Sequence, residues 1–92
     1  MTPLVHIYPT DTVAVALRPL KKGETLFFGD GTITLAEDVP QGHKVALKEH
    51  AEGAPVIKYG VPIGHVTKDV HPGQWIHTHN MATNLSGEVA YN

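Results

Sequence analysis

The sequence predicts an all-β domain made of many short strands, on three observations. Glycine and proline interrupt the chain about every 8–12 residues. The runs between them either alternate apolar with polar residues or are short and apolar throughout. No stripe of 3.6-residue period is long enough for a stable helix, and Leu35 to Asp38 has room for one turn at most.

Leu4 to Tyr8 reads as the first strand, closed by Pro9-Thr10-Asp11, where Asp11 caps the turn. Thr12 to Leu17 follows, with Val13, Val15 and Leu17 on one face and Ala14 and Ala16 on the other. A strand apolar on both faces is expected to be the most buried. Arg18-Pro19 ends it. Thr25 to Phe28 and Thr32 to Leu35 form a hairpin across Gly29-Asp30-Gly31. His43 to Lys48 comes after Pro40-Gln41-Gly42, then a polar loop over 49–54 and a strand from Val56 to Tyr59.

Gly60 to Gly64 reads as a tight connection in which small residues permit close backbone approach, followed by a short strand from His65 to Thr67. Pro72-Gly73 leads into the last strand, Trp75 to Asn80. Leu20-x-x-Gly23, Val39-x-x-Gly42 and Val70-x-x-Gly73 reuse one turn, each with an apolar anchor and a glycine that permits positive φ. Their unequal spacing excludes a solenoid. The domain is expected over residues 1–80, with 81–92 a polar tail, a docking segment or the start of a linker.

Ninety-two residues make one domain, short enough that its own core is modest and self-association is an option. The formal net charge is −2 with acids and bases mixed, which argues against nucleic acid as a partner. Seven histidines stand against no cysteine, so disulfides, zinc–thiolate sites and iron–sulfur ligation are excluded. The N-terminus has neither a basic nor an apolar leader segment, and no apolar run nears the roughly 18–20 residues that span a bilayer. The expected setting is cytoplasmic, without a membrane.

Candidate chemistry concentrates in Trp75-Ile76-His77-Thr78-His79-Asn80. On a strand His77 and His79 project from one face with Cβ atoms about 6–7 Å apart, and Asn80 adds an amide. Such a set grips a polyol or carboxylate, or contributes to a metal site. The competing reading is two solvated histidines on a polar strand face. A cupin metal centre also uses His-x-His, but needs a glutamate about four residues later, whereas the next carboxylate here is Glu88. Two imidazoles alone are an incomplete set, so His77 and His79 are the candidate metal ligands without forming a centre by themselves.

His43 and Lys44 open a strand after a glycine turn, where an acid or base and a carboxylate-binding ammonium are well placed, although the motif alone favours a solvated polar turn. Lys58-Tyr59-Gly60 is a third polar cluster, read either as substrate-binding or as an edge-strand lysine beside a half-buried tyrosine. The remaining histidines, His6, His50, His65 and His71, are read as surface or structural.

Taken in order, DTVAVALRPLKKGETL, VPQGHKVAL and VIKYGVPIGHVTKDVHPGQWIHTHN resemble the SAF domain of the altronate/galactarate dehydratase family, from about Leu4 to Asn80. The ordered set GHKVAL, KYG-x-PIG and PG-x-W-x-H-x-HN carries the resemblance. It implies a β-clip fold and a share in a hydro-lyase that removes water from a sugar acid to give a 2-keto-3-deoxy acid. Such enzymes depend on Fe2+ or a similar divalent metal, expected in a large catalytic subunit or domain and not in this chain alone.

The large portion being absent from this sequence, the chain is expected to be a small subunit or a single domain, inactive alone. His77, His79 and His43 are the expected catalytic groups, and Lys44, Lys58, Tyr59 and Asn80 the expected substrate-binding ones. The alternatives are the small subunit of sulfolactate sulfo-lyase, or a non-catalytic carbohydrate-binding or assembly module of SAF type.

Overall fold

The computed structural model describes residues 3–29 and 31–83. Its strands are β1 (Leu4–Val5), β2 (Val13–Ala16), β3 (Thr25–Phe28), β4 (Gly31–Thr34), β5 (Lys44–Ala46), β6 (Pro55–Lys58), β7 (Val61–Val66), β8 (Trp75–Ile76) and β9 (Met81–Thr83). Among the described residues there is no helix, hence none long and apolar enough to cross a membrane. The all-β expectation holds.

An antiparallel sheet in the order β1-β2-β5-β8 forms the middle of the molecule. Alternation along β2 and β5 decides what lies on each face. Ala14, Ala16 and Val45 join a core with Leu20, Leu26, Ile33, Leu35 and Val39, which includes the β3–β4 hairpin. Val13 and Ala46 point the other way, into a second core with Val56, Val66, Val70 and Ile76, which includes the sheet β6-β7-β9. Both faces of β2 are therefore covered, as its double apolar pattern predicts, although Leu17 lies outside the strand and is 49% exposed.

The repeated turn becomes a structural device. Leu20 and Val39 form an isolated antiparallel bridge, and so do His50 and Val70. The second bridge exposes a copy that the sequence pattern missed, His50-Ala51-Glu52-Gly53, because its anchor is a histidine. Gly23, Gly42, Gly53 and Gly73 all have φ between +82° and +93°. The carboxylates preceding the partner anchors act alike, Asp38 accepting from Lys22 N and Asp69 from Glu52 N, both at 2.8 Å. Each bridge thus closes a loop that carries one hairpin, the geometry of a clip.

Three elements differ from the sequence reading. Val61–Val66 is a full strand where a tight connection was expected. The turn is Tyr59-Gly60 alone, which also removes Tyr59 from β6, and both residues have positive φ (56° and 77°) as a type I′ hairpin requires. A bulge between Val56 and Ile57 places Ile57 opposite Pro62, which has no N–H. Ile57 bonds Thr12 instead, its N–H to Oγ1 and its carbonyl to the N–H, both at 3.0 Å.

Met81–Thr83, expected in the tail, forms β9 beside β7. The close approach anticipated at Gly64 is real, since a Cβ there would strike the Ala82 carbonyl. The rest of the expected tail, 84–92, lies outside the described residues. Finally, β8 stops at Ile76, and residues 77–80 form a turn closed by Asn80 N to His77 O at 3.0 Å.

Candidate functional site

β5 and β8 pair with Lys44 opposite Ile76 and Val45 opposite Trp75. That register brings His43, just before β5, against the residues around β8. The His43 ring lies 5.4 Å from Trp75, edge-on, and 4.8 Å from His77. His77 stacks on Trp75 at 5.7 Å with 13° between planes, and His79 approaches the same indole at 5.2 Å. The three candidate imidazoles therefore meet around the Trp75 indole of β8, with His77 and His79 in the turn that follows and not along one strand face. Trp75 packs against the first core and also offers its ring as a platform for stacking.

Asn80 explains why the strand ends early. Its Oδ1 accepts from His77 N at 2.9 Å and its Nδ2 donates to Trp75 O at 2.8 Å. Its own carbonyl accepts from Thr67 N at 2.9 Å. A short amide that bonds nearby backbone competes with a strand ladder. Asn80 is 4% exposed with its carboxamide engaged in this way, so it builds the turn that presents His77 and His79.

Lys44 occupies the other side of the central sheet from Val45 and lines a cavity of about 330 Å³ with Lys58, Tyr59, Val61, Ile63, Met81 and Thr83. Met81 and Thr83, unanticipated, enter through β9. Lys58 Nζ sits 5.0 Å above the Tyr59 ring. The imidazoles do not line this cavity; His43 and Lys44, one from each group, are neighbours in the chain. Burial, and then the charge of Lys58, push the Lys44 pKa below its ordinary value. Desolvation foremost, then His43, Lys44 and His79, push His77 down as well. His77 is accordingly neutral at pH 7, with a lone pair able to take a proton.

Asp11 positions this end of the cavity. It is 2% exposed, and its carboxylate accepts from Gly60 N at 2.7 Å, Tyr59 N at 3.0 Å and, more weakly, Tyr8 N at 3.4 Å. A turn-capping role was expected; the surprise is a partner 48 residues away, invisible to local pattern. The arrangement holds Tyr59 in the left-handed region, which costs a non-glycine residue about 1–2 kcal/mol.

Among the described residues, no group of three or more His, Cys, Asp or Glu side chains is placed to hold a metal ion. The Glu37 carboxylate is already engaged, accepting from Trp75 N at 2.9 Å. One nitrogen of His43 is also engaged, by the Trp75 indole N–H at 3.2 Å. The donor set present here does not fit a resident divalent metal. A larger, shallower groove of about 520 Å³ runs along His6, Ile7, Pro9, Phe28, Gly29 and Gly31. Its one imidazole nitrogen with a hydrogen bond, His6 Nε2, lies 3.3 Å from the Asp11 carbonyl.

Residues 2–84 match the family model described as the altronate/galactarate dehydratase SAF domain. The chain belongs to that family. An altronate dehydratase of Escherichia coli K12 is 48% identical over 82 residues, which is 89% of this chain and 17% of the relative. One from Bacillus subtilis 168 is 41% identical over 91 residues, 99% of this chain and 18% of the relative. The alpha subunit of (2R)-sulfolactate sulfo-lyase from Paracoccus pantotrophus is 46% identical over 54 residues, covering 59% of this chain and 81% of the relative. This SAF domain thus spans less than a fifth of the altronate dehydratases it matches, and its relatives are lyases.

Proposed function

We propose that this SAF domain serves a sugar-acid dehydratase of the altronate/galactarate type, binding the hydroxy acid and handling its protons in a site completed by a larger catalytic portion. The observation that carries the reading is the meeting of His43, His77 and His79 around Trp75, with the Lys44/Lys58/Tyr59 cavity beginning at the next residue along β5. Cationic and imidazole groups without a matching set of carboxylates suit an anionic ligand.

Removing water from a hydroxy acid takes a base for the proton α to the carboxylate and an acid for the departing β-hydroxyl. In this reading Lys44 and Lys58 attract the carboxylate, with the Tyr59 phenol as a further hydrogen-bonding group. Neutral His77 is fitted to accept a proton, and His79 is the second imidazole on the same turn. The divalent metal expected for such lyases belongs to the larger portion. A role beside a larger subunit or domain is supported by the small share of the altronate dehydratases that this chain spans. The sulfo-lyase alpha subunit supports a second reading, as a small subunit for sulfite elimination, since the match covers most of that relative.

The test combines the chain with the remainder of an altronate dehydratase and divalent iron, and follows 2-keto-3-deoxy acid formation from altronate and galactarate. His77→Ala and His79→Ala should each lower turnover about 10²-fold or more, the usual scale of acid–base contributions, with the domain still folded. Full activity in both variants, or sulfite release from sulfolactate in place of dehydration, rejects the reading.

A further inference from the structure

The ring cluster distributes roles among its imidazoles. An indole N–H donates and never accepts, and Trp75 Nε1 points at His43 Nδ1 from 3.2 Å. A ring nitrogen that accepts such a bond carries no proton, so in neutral His43 the proton resides on Nε2. The indole cannot easily turn away. Its residue is held by Trp75 N to Glu37 Oε2 at 2.9 Å, by Asn80 Nδ2 to Trp75 O at 2.8 Å, and by the His77 ring stacked 13° from parallel.

We propose that Trp75 is a positioning residue that locks His43 as its Nε2–H tautomer, making His43 a hydrogen-bond donor to a ligand oxygen and leaving proton uptake to His77 and His79. The lone pair that a general base needs is, on His43, already facing the indole. The ring's remaining polar group is then the Nε2–H, which suits a hydroxyl or carboxylate oxygen. His77 and His79 differ in kind: among the described residues their ring nitrogens make no hydrogen bond, and their attachments to the indole are by ring faces and edges. The ligand half of the proposal rests on the proposed dehydratase role; the tautomer half does not.

Long-range proton–nitrogen correlation spectra of the 92-residue chain read the tautomer directly. The wild type should show His43 protonated at Nε2 alone, and Trp75→Phe, which keeps a ring for His77 but has no N–H, should give a mixture of tautomers. A His43 proton on Nδ1 in the wild type, or an unchanged pattern in Trp75→Phe, overturns the proposal. Should Trp75→Phe fail to fold, exchange of the Trp75 indole N–H provides the second reading. It should stay slow in His43→Asn, whose carboxamide oxygen can replace Nδ1, and accelerate at least tenfold in His43→Phe. Equal exchange in His43→Phe and wild type overturns the bond.

In the combined enzyme, Trp75→Phe should raise KM about twofold with little change in kcat, as expected when only a fraction of His43 carries its proton on Nε2. An unchanged KM removes the ligand half. A combined enzyme with no activity even as wild type counts against the dehydratase reading and leaves the tautomer result standing.

Discussion

The two hairpin units flank one sheet and are closed by the same kind of bridge, yet they are built differently. The first, β3–β4, closes on two apolar anchors, Leu20 and Val39, and packs leucines and isoleucine into its core. The second, β6–β7, closes on His50 and Val70 over a core of valines, alanine and isoleucine, and gains β9 as a third strand. It also holds the bulge, the left-handed Tyr59 and the cavity with both lysines. Departures from regular structure gather in the half that carries ionisable groups around a hollow, as expected where shape serves binding in preference to stability. The first half is the plainer scaffold.

The largest test concerns how the halves interlock. The clip glycines share their φ, but a Cβ on Gly42 meets open space, whereas one on Gly73 would strike the Thr34 carbonyl and come within 3.1 Å of Ala36 N. Gly42→Ala should cost about 1–2 kcal/mol from its backbone angle alone. Gly73→Ala should cost about 3–4 kcal/mol, adding an overpacking penalty to that angle. Urea unfolding of the two variants compares them; equal midpoints would mean that Gly73 is no wedge between the units.

Next comes the strap that ties the second unit to the β1–β2 connection. Asp11→Ala leaves the N–H groups of Tyr59 and Gly60 without their acceptor, and should cost about 3 kcal/mol. Asp11→Asn retains one acceptor oxygen and should lose less. Thermal melts decide, and a negligible loss in Asp11→Ala would make the Tyr59 turn self-supporting.

A third comparison exchanges an anchor. His50 Nδ1 donates to Lys48 O at 2.8 Å, Nε2 is buried without a partner among the described residues, and burial lowers the pKa. A histidine with a lowered folded pKa binds fewer protons folded than unfolded, so stability should fall as pH drops below the ordinary value near 6.5. It levels off below the folded pKa. His50→Leu, which imitates Leu20, should abolish that fall.

Two further groups titrate on either side of this effect. His71, raised by its bond to Glu49, supports the fold at low pH and loses that support as pH rises through its folded pKa. Glu24, held at about 2 chiefly by Arg18, acts in stronger acid, its contribution fading as pH falls from 4.5 towards that value. Chemical denaturation across pH for wild type and His50→Leu separates these; parallel curves would clear His50 of the effect.

The smallest effect should have the opposite sign. Tyr59→Gly relieves the left-handed strain and should stabilise the fold by up to about 1 kcal/mol. For a domain of this size that raises Tm by roughly 4–8 °C. The phenol at the cavity is lost at the same time, so ligand affinity should drop while Tm rises. A lower Tm would mean that the ring's contact with Lys58 outweighs the strain.

Much of the scaffold was legible in the residues. Double-sided apolar alternation marked β2 as central, Gly29-Asp30-Gly31 marked the first hairpin, and three clip turns showed in their glycines. The fourth clip was hidden because His50 breaks the apolar pattern. Val61–Val66 was misread because Pro62 and Gly64 signal a connection; here a bulge and β9 make the strand that those residues discourage. Trp75 to Asn80 was read as one strand because its side chains alternate, but the Asn80 amide bonds backbone locally and turns the chain. The candidate site divided in the same way: His43, Lys44, Lys58, Tyr59, His77 and His79 were nominated by residue type, whereas Trp75 beside the imidazoles, Asp11 behind the Tyr59 turn and Met81 in the cavity wall were not.

By itself the sequence determined the kind of chain this is: short strands, glycine turns at left-handed positions, no cysteine chemistry, and a supply of imidazole and ammonium groups. These are local properties, set by alternation and by what each side chain allows its own backbone to do. Only the tertiary structure decided which of those groups meet. The register of β5 on β8 carries His43 to Trp75 and His77, and the side of the sheet that Lys44 faces joins it to Lys58. Pairing register is a long-range choice made by two hydrophobic cores packing at once, and no local pattern contains it.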